Sequence, residues 1–187
     1  GNIVSGSLLE GLSVISGLSG DDNATTDLRL RDNVITGAVG AGLFLRGQGA
    51  SQNSWTVHAN LVQNPGNFGI LLVRNNTSVV NGTLTDNRVE GARQGGLQVT
   101  SGTASGGFSV PLQGQDRLTI SDNQLLNSGL SGLSLSLVSA AHTVVLNGNR
   151  STQPVAITSR GSNAGLAAGR NSVDGALSVS VDTGFSL

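Results

Sequence analysis

Asp86, Glu90 and Asp122, with Arg88, Arg93 and Arg117 nearby, form the nearest approach to a reactive cluster in this chain. Closely placed carboxylic acids act as acid and base across a glycosidic bond, because one can stay protonated while the other ionises. Two aspartates brought about 5 Å apart either repel mildly or share a cation, and calcium is the cation their oxygens suit. Asp86 and Asp122 are thus a candidate metal pair, and the group of six a candidate catalytic set. No other cofactor is indicated. His58 and His142 are the only histidines, and neither has a carboxylate and a nucleophile at matching positions. Whether the acids meet depends on the elements that carry them.

Those elements are written as a repeat. Asn2, Asn33, Asn60, Asn87 and Asn123 are each followed nine residues later by a glycine: Gly11, Gly42, Gly69, Gly96 and Gly132. Two positions after each asparagine, and one and three after each glycine, the residue is aliphatic in all five copies, in a chain that is only 37% hydrophobic. Such self-similarity at a fixed period marks a solenoid. Successive asparagines are 31, 27, 27 and 36 residues apart, and Asn149 follows 26 residues later. The unit is therefore about 27 residues, with a loop insertion expected near residues 101–109, "SGTASGGFS".

Within a unit the apolar residues alternate by two, as in Leu28 and Leu30, then Ile35, then Leu43 and Leu45. That spacing predicts about three short strands per unit with one face inward. The asparagine is expected at a corner, where it tolerates left-handed backbone and bonds the same amide in the units above and below. The glycine is expected at a second corner, where positive φ or close backbone approach excludes a side chain. Asn33, Asn60, Asn87, Asn123 and Asn149, with Gly42, Gly69, Gly96 and Gly132, are therefore the structural residues. A leucine-rich repeat would need another leucine eight before the asparagine, but Thr25, Gln52, Val79 and Gln115 stand there.

Composition narrows the function. Ten arginines, no lysine and 11 acids leave a net charge of −1, which offers nucleic acid no basic face. No apolar run approaches the roughly 20 residues of a membrane span, so membrane insertion is not expected. With no cysteine there is no disulfide or thiolate site to read. One domain, residues 1–187, is expected, with less regular coils from 150 to 187. The start at Gly1-Asn2 without methionine leads to the expectation of a processed or excised chain.

The Asn-x8-Gly-apolar-x-apolar frame, with aliphatics three before and two after the asparagine, resembles the right-handed parallel β-helix repeat of the pectate-lyase-like superfamily. The likeness covers residues 2 to 150 and weakens beyond, where Pro154 takes the glycine's role early and Asn171 matches in part. It implies an all-β single-stranded solenoid of about six or seven coils. Its members include lyases, hydrolases, epimerases, tailspikes, adhesins and scaffolds, so the resemblance speaks to fold more than to function. Its enzymes use calcium-binding aspartates beside Arg or Lys, or clustered acids, and their paired-aspartate strings are missing from the corners and strands here. The one adjacent pair, Asp21-Asp22, lies in a Gly/Ser/Asn-rich turn.

Stacking turns equivalent positions into columns. Phe44 and Leu71 share an outward column, with Phe68 close by, and are the candidate contact patch unless a loop covers them. Trp55 shares an inward column with Leu28, Gly82, Leu118 and Val144, where large beside small packs a core. No outward threonine column repeats, which disfavours ice binding. The reading that best fits is a non-enzymatic, secreted or cell-surface scaffold, adhesin or filament subunit of bacterial type, with a polysaccharide-active enzyme as the alternative. Its expected partners are other copies, through open coil ends, or a protein or glycan surface. The tail, with Gly184-Phe185-Ser186-Leu187 and no capping helix, fits either a longer rod or subunits stacking head to tail.

Overall fold

A computed structural model describes residues 1–17, 23–75, 77–101, 112–161 and 163–182. Among these there are strands and turns but no helix. The strands form a parallel β-solenoid with three faces. The first face stacks the short strands Ile3–Ser5, Val34–Thr36, Leu61–Gln63, Arg88–Glu90, Gln124–Leu126, Arg150–Ser151 and Ser172–Val173. The second begins with Leu12–Ser16, Leu43–Gly47, Phe68–Arg74 and Gly95–Ser101, and the third with Thr25–Arg31, Gln52–His58, Val79–Thr85 and Leu112–Ser121. Ser131–Asn147 runs continuously through both the second and third faces, pairing with Gly95–Ser101 at its start and Leu112–Ser121 further on. Val155–Arg160 and Asn163–Gly169 add the next rung to each.

Among the described residues the strand pairings are parallel and keep the register that the repeat predicts, apart from one shift between Leu112 and Gln115 against Ser131–Asn147. Leu43, Ile70, Leu97 and Leu133 are successive partners, as are Leu45, Leu72, Val99 and Leu135. These residues are all buried, because alternate side chains of every strand turn into one shared interior. Val155 pairs with Leu133, so Pro154 does stand beside Gly132 in the glycine's slot. Ser101 ends its strand and pairing resumes at Leu112, while residues 102–109 of the expected insertion lie outside the described residues, as do Asp21, Asp22 and residues 183–187.

The corners differ from expectation. The left-handed residue is not the repeat asparagine but the one before it: Asp32, Ala59, Asp86 and Asp122 have φ of 56°, 53°, 56° and 56°. A second left-handed column lies four after the asparagine, at Gly37 (65°), Asn64 (51°), Gly91 (64°) and Asn127 (53°). Reversing the chain just before the asparagine leaves its own amide free to point inward. The glycine nine residues on is not left-handed. It is required by close approach, since a Cβ at Gly42, Gly69 or Gly96 would stand 2.8, 2.5 or 2.6 Å from the carbonyl oxygen of the glycine in the next coil.

Buried asparagines form an unbroken amide ladder. The Nδ2 of Asn33, Asn60, Asn87 and Asn123 donates to Oδ1 of the next asparagine at 2.7, 2.9, 2.9 and 2.9 Å. Backbone N–H groups of the same residues donate to those oxygens at 3.0 to 3.1 Å. The second Nδ2 proton goes to a third-face carbonyl, as in Asn60 to Leu30 O at 3.0 Å and Asn87 to Val57 O at 2.9 Å. Asn171 joins the ladder through Asn149, so the repeat outlasts the shortened coil. Asn60→Ala strips Asn33 of its acceptor and leaves buried donors unpaired, a loss expected to be about 1–3 kcal/mol in the urea unfolding midpoint. An unchanged midpoint would mean that the ladder contributes nothing to stability.

Candidate functional site

The candidate acids and arginines are dispersed over the outside of the solenoid. Asp86 and Asp122 occupy adjacent left-handed positions where the third face turns into the first. Their carboxylates turn away from each other. Asp86 Oδ2 reaches back to His58 Nδ1 in the preceding coil at 3.3 Å, and Asp122 Oδ1 lies over Gly148 in the following one. Each carboxylate is thus aimed by a local partner in a different coil, Asp86 by His58 and Asp122 over Gly148. Among the described residues no group of three or more His, Cys, Asp or Glu converges on a point.

Arg88 and Glu90 project from one first-face strand and pair with each other, Arg88 Nε donating to Glu90 Oε1 at 2.8 Å. Gln63 in the coil before donates its Nε2 to Glu90 Oε2 at 3.1 Å. The Gln63 amide, ahead of the Arg88 guanidinium, holds the Glu90 carboxyl below the usual carboxylate range. A lowered folded-state pKa contributes stability that is present above the ordinary glutamate range and lost as pH falls through the lowered value. Gln63→Ala removes the larger cause, so the Glu90 carboxyl should titrate at higher pH in an NMR carboxyl titration. A titration that does not move would disprove the assignment of that cause.

Arg93 lies at the corner between first and second faces, beside a shallow cleft edged by Val39 and Asn64 and floored by Gly37, Gly66 and Gly91. Arg117 stands on the third face, paired with Asn81 and Thr143, five residues and about 16 Å along its strand from Asp122. Arg93 and Arg117 thus stand at another corner and on another face from Arg88 and Glu90.

The aromatic residues are also placed differently from a projecting patch. Phe44 is only 9% exposed, with the Arg46 guanidinium 5.0 Å above its ring, and Phe68 and Leu71 are half-buried. The cation over the ring face contributes to that burial. Trp55 is buried between Leu28 and Gly82, and a Cβ at Gly82 would come within 2.9 Å of Leu118 Cδ2, so the glycine makes room in a filled column.

A different cluster is inside. Where second and third faces meet, Arg74 Nη1 lies 2.9 Å from Asp116 Oδ2, the side chains being 1% and 2% exposed. Asp116 Oδ1 accepts from Val80 N–H at 3.0 Å, and Arg74 Nε donates to Ser78 O. Burial holds the Asp116 carboxyl above the usual carboxylate range against the pull of Arg74, and lowers Arg74 in turn. The polar seam continues on both sides: Ser16 Oγ lies 2.5 Å from Thr26 Oγ1, and His142 Nε2 lies 2.6 Å from Ser159 Oγ. Its signal was present in the chain, seven before the ladder asparagines (Thr26, Asn53, Asp116, His142) and five after the glycines (Ser16, Arg74, Ser101). With both charges enclosed and engaged, the pair braces the corner, and Asp116 and His142 also line a cavity of about 230 Å³ with Arg117 and Thr143.

No protein-family model, curated protein or solved structure matches this chain.

Proposed function

We propose that this chain is a non-enzymatic structural or adhesive solenoid, a right-handed parallel β-helix of the pectate-lyase-like kind that acts outside the cell or on its surface. Its product is a stiff, regular shape, and its partners are further copies or a protein or glycan surface that reads its outer columns. One observation carries this reading: the interior columns and amide ladder run through the whole described stack, while Asp86 is engaged by His58, Glu90 by Arg88 and Gln63, and Arg93 and Arg117 stand at another corner and on another face. A solenoid built this way spends its sequence on repetition, and nearest-neighbour stacking supplies its stability.

The competing reading is an enzyme that cleaves or epimerises acidic glycans. Incubation with a panel of acidic polysaccharides should release neither unsaturated products nor new reducing ends. Turnover that is lost in Asp86→Ala or Arg117→Ala would overturn the structural reading and install the enzymatic one.

A further inference from the structure

The cleft beside Arg93 follows from the repeat itself. Four residues after each ladder asparagine the backbone is left-handed, at Gly37, Asn64, Gly91 and Asn127, and two residues further stand Val39, Gly66, Arg93 and Gly129. Side chains alternate between these two columns, so that each coil carrying one at the first position has glycine at the second, and the reverse. Around Gly66 this leaves a gap open to solvent, with Val39 in the coil before, Arg93 in the coil after and Asn64 alongside. Val39 and Arg93 are two coils apart, about 10 Å. The gap measures about 420 Å³. That lies within the range of roughly 300–1,000 Å³ that small ligands occupy. Its lining is mid-stack, in coils that have described neighbours on both sides.

Polar groups at this gap are unengaged. Among the described residues the exposed Arg93 guanidinium makes no ion pair or hydrogen bond, and neither does the Asn64 amide. No acid is among the lining residues. The carbonyl oxygens of Val39, Gly66 and Arg93 accept no hydrogen bond among the described residues, although those of Ala38 and Pro65 beside them receive Gly66 N–H at 2.7 Å and Arg93 N–H at 3.2 Å. Because Gly66 has no side chain, the Val39 oxygen stands where a Cβ would be. Asn64 Oδ1 lies over Gly91, 2.5 Å from where a Cβ would stand, so the glycine makes room for the amide at the cleft edge. Val39, 60% exposed, and the Ala38 methyl supply an apolar wall.

Resting on the adhesive reading above, we propose that this cleft binds a single carboxylate-bearing sugar, such as the exposed end unit of a glycan. A guanidinium fork matches a carboxylate bidentately, and one arginine with no acid beside it in the lining calls for one such group. Ring hydroxyls donate to the Val39 carbonyl and meet the Asn64 amide, which both gives and accepts. The C–H face of the ring lies against Val39. Gly66 and Asn67 N–H already bond to Ala38 O and Gly40 O, so no strand edge is open here for a peptide to extend. Val39 and Arg93 close the gap along the axis, and it therefore takes one ring and not a run of them.

Saturation-transfer NMR and titration with sodium glucuronate, glucose and sodium acetate test this on the unmodified chain and two variants. Arg93→Gln removes the charge, and Asn64→Gly removes the amide at a left-handed position that glycine tolerates. Circular dichroism checks that each keeps its strand content. Glucuronate should bind more tightly than glucose or acetate, with saturation strongest on its ring C–H protons. Arg93→Gln should weaken it by about tenfold or more, as the loss of a charge-assisted pair implies, and Asn64→Gly by a smaller factor. Glucuronate that does not bind at millimolar concentration, or that binds either variant as well as the unmodified chain, overturns the proposal. Acetate or glucose binding as tightly as glucuronate overturns it too, since charge or sugar alone would then suffice. These outcomes leave the scaffold reading standing, which the polysaccharide-turnover assay decides separately.

Discussion

Replacing Asp116 with alanine should lower the unfolding free energy by about 3–5 kcal/mol, the loss expected when one partner of a buried ion pair is removed. The reason is Arg74. Its guanidinium is 1% exposed and has the Asp116 carboxylate 2.9 Å away, so without Asp116 an enclosed positive charge loses the counter-charge beside it. The Val80 N–H also loses its acceptor, Asp116 Oδ1. The double variant Arg74→Met with Asp116→Leu removes both charges and should recover much of the loss, because desolvation opposes each charge in the folded chain. Urea denaturation of the two single variants and the double variant, read as a cycle, measures this. Simple additivity of the two single losses would show that Arg74 and Asp116 do not depend on each other, and would remove the ion pair as the brace of this corner.

Leu72→Ala should cost about 2–5 kcal/mol, from lost burial plus the cavity left behind. Leu72 is 1% exposed and lies mid-stack between Leu45 and Val99, so its truncation weakens the interfaces on both sides at once. In a solenoid those neighbour interfaces carry the cooperativity. The unfolding transition of Leu72→Ala should therefore broaden as well as shift, because coils on either side of the defect are less tightly coupled. Val179→Ala is the matching control. It removes aliphatic bulk from the same column where the side chain is 49% exposed, and should cost under about 1 kcal/mol. Equal losses at the two positions would mean that stacking depth does not govern stability here.

Both results bear on the proposed structural function through rigidity. A rod whose role is its shape needs every coil held to its neighbours, and the seam, the ladder and the aliphatic columns do this by different physics. Hydrophobic columns supply most of the free energy without direction. The asparagine ladder adds little per rung but admits only one register, since a slip of one residue would turn each amide to the outside. The Arg74–Asp116 contact ties one coil to the next across a corner where the repeat is interrupted by the long interval before Asn123.

The sequence by itself determined the parallel stack, its unit of about 27 residues, the inward columns and the membership of the amide ladder. Period and alternation are properties of each coil separately, so they are spelled out along the chain, and burial of one face leaves a single register that satisfies all of them. Tertiary structure alone decided which corner residue is left-handed, because that depends on how the backbone must turn to aim Asn33 or Asn60 inward. It decided that Asp86 turns back to His58 while Asp122 turns forward over Gly148, a matter of side-chain direction that no column reveals. It also decided that Arg74 meets Asp116 instead of remaining a lone polar residue in an aliphatic slot. Those two stand in different columns and in different coils, and only the axial offset between the second and third faces brings a guanidinium to a carboxylate in the dry interior.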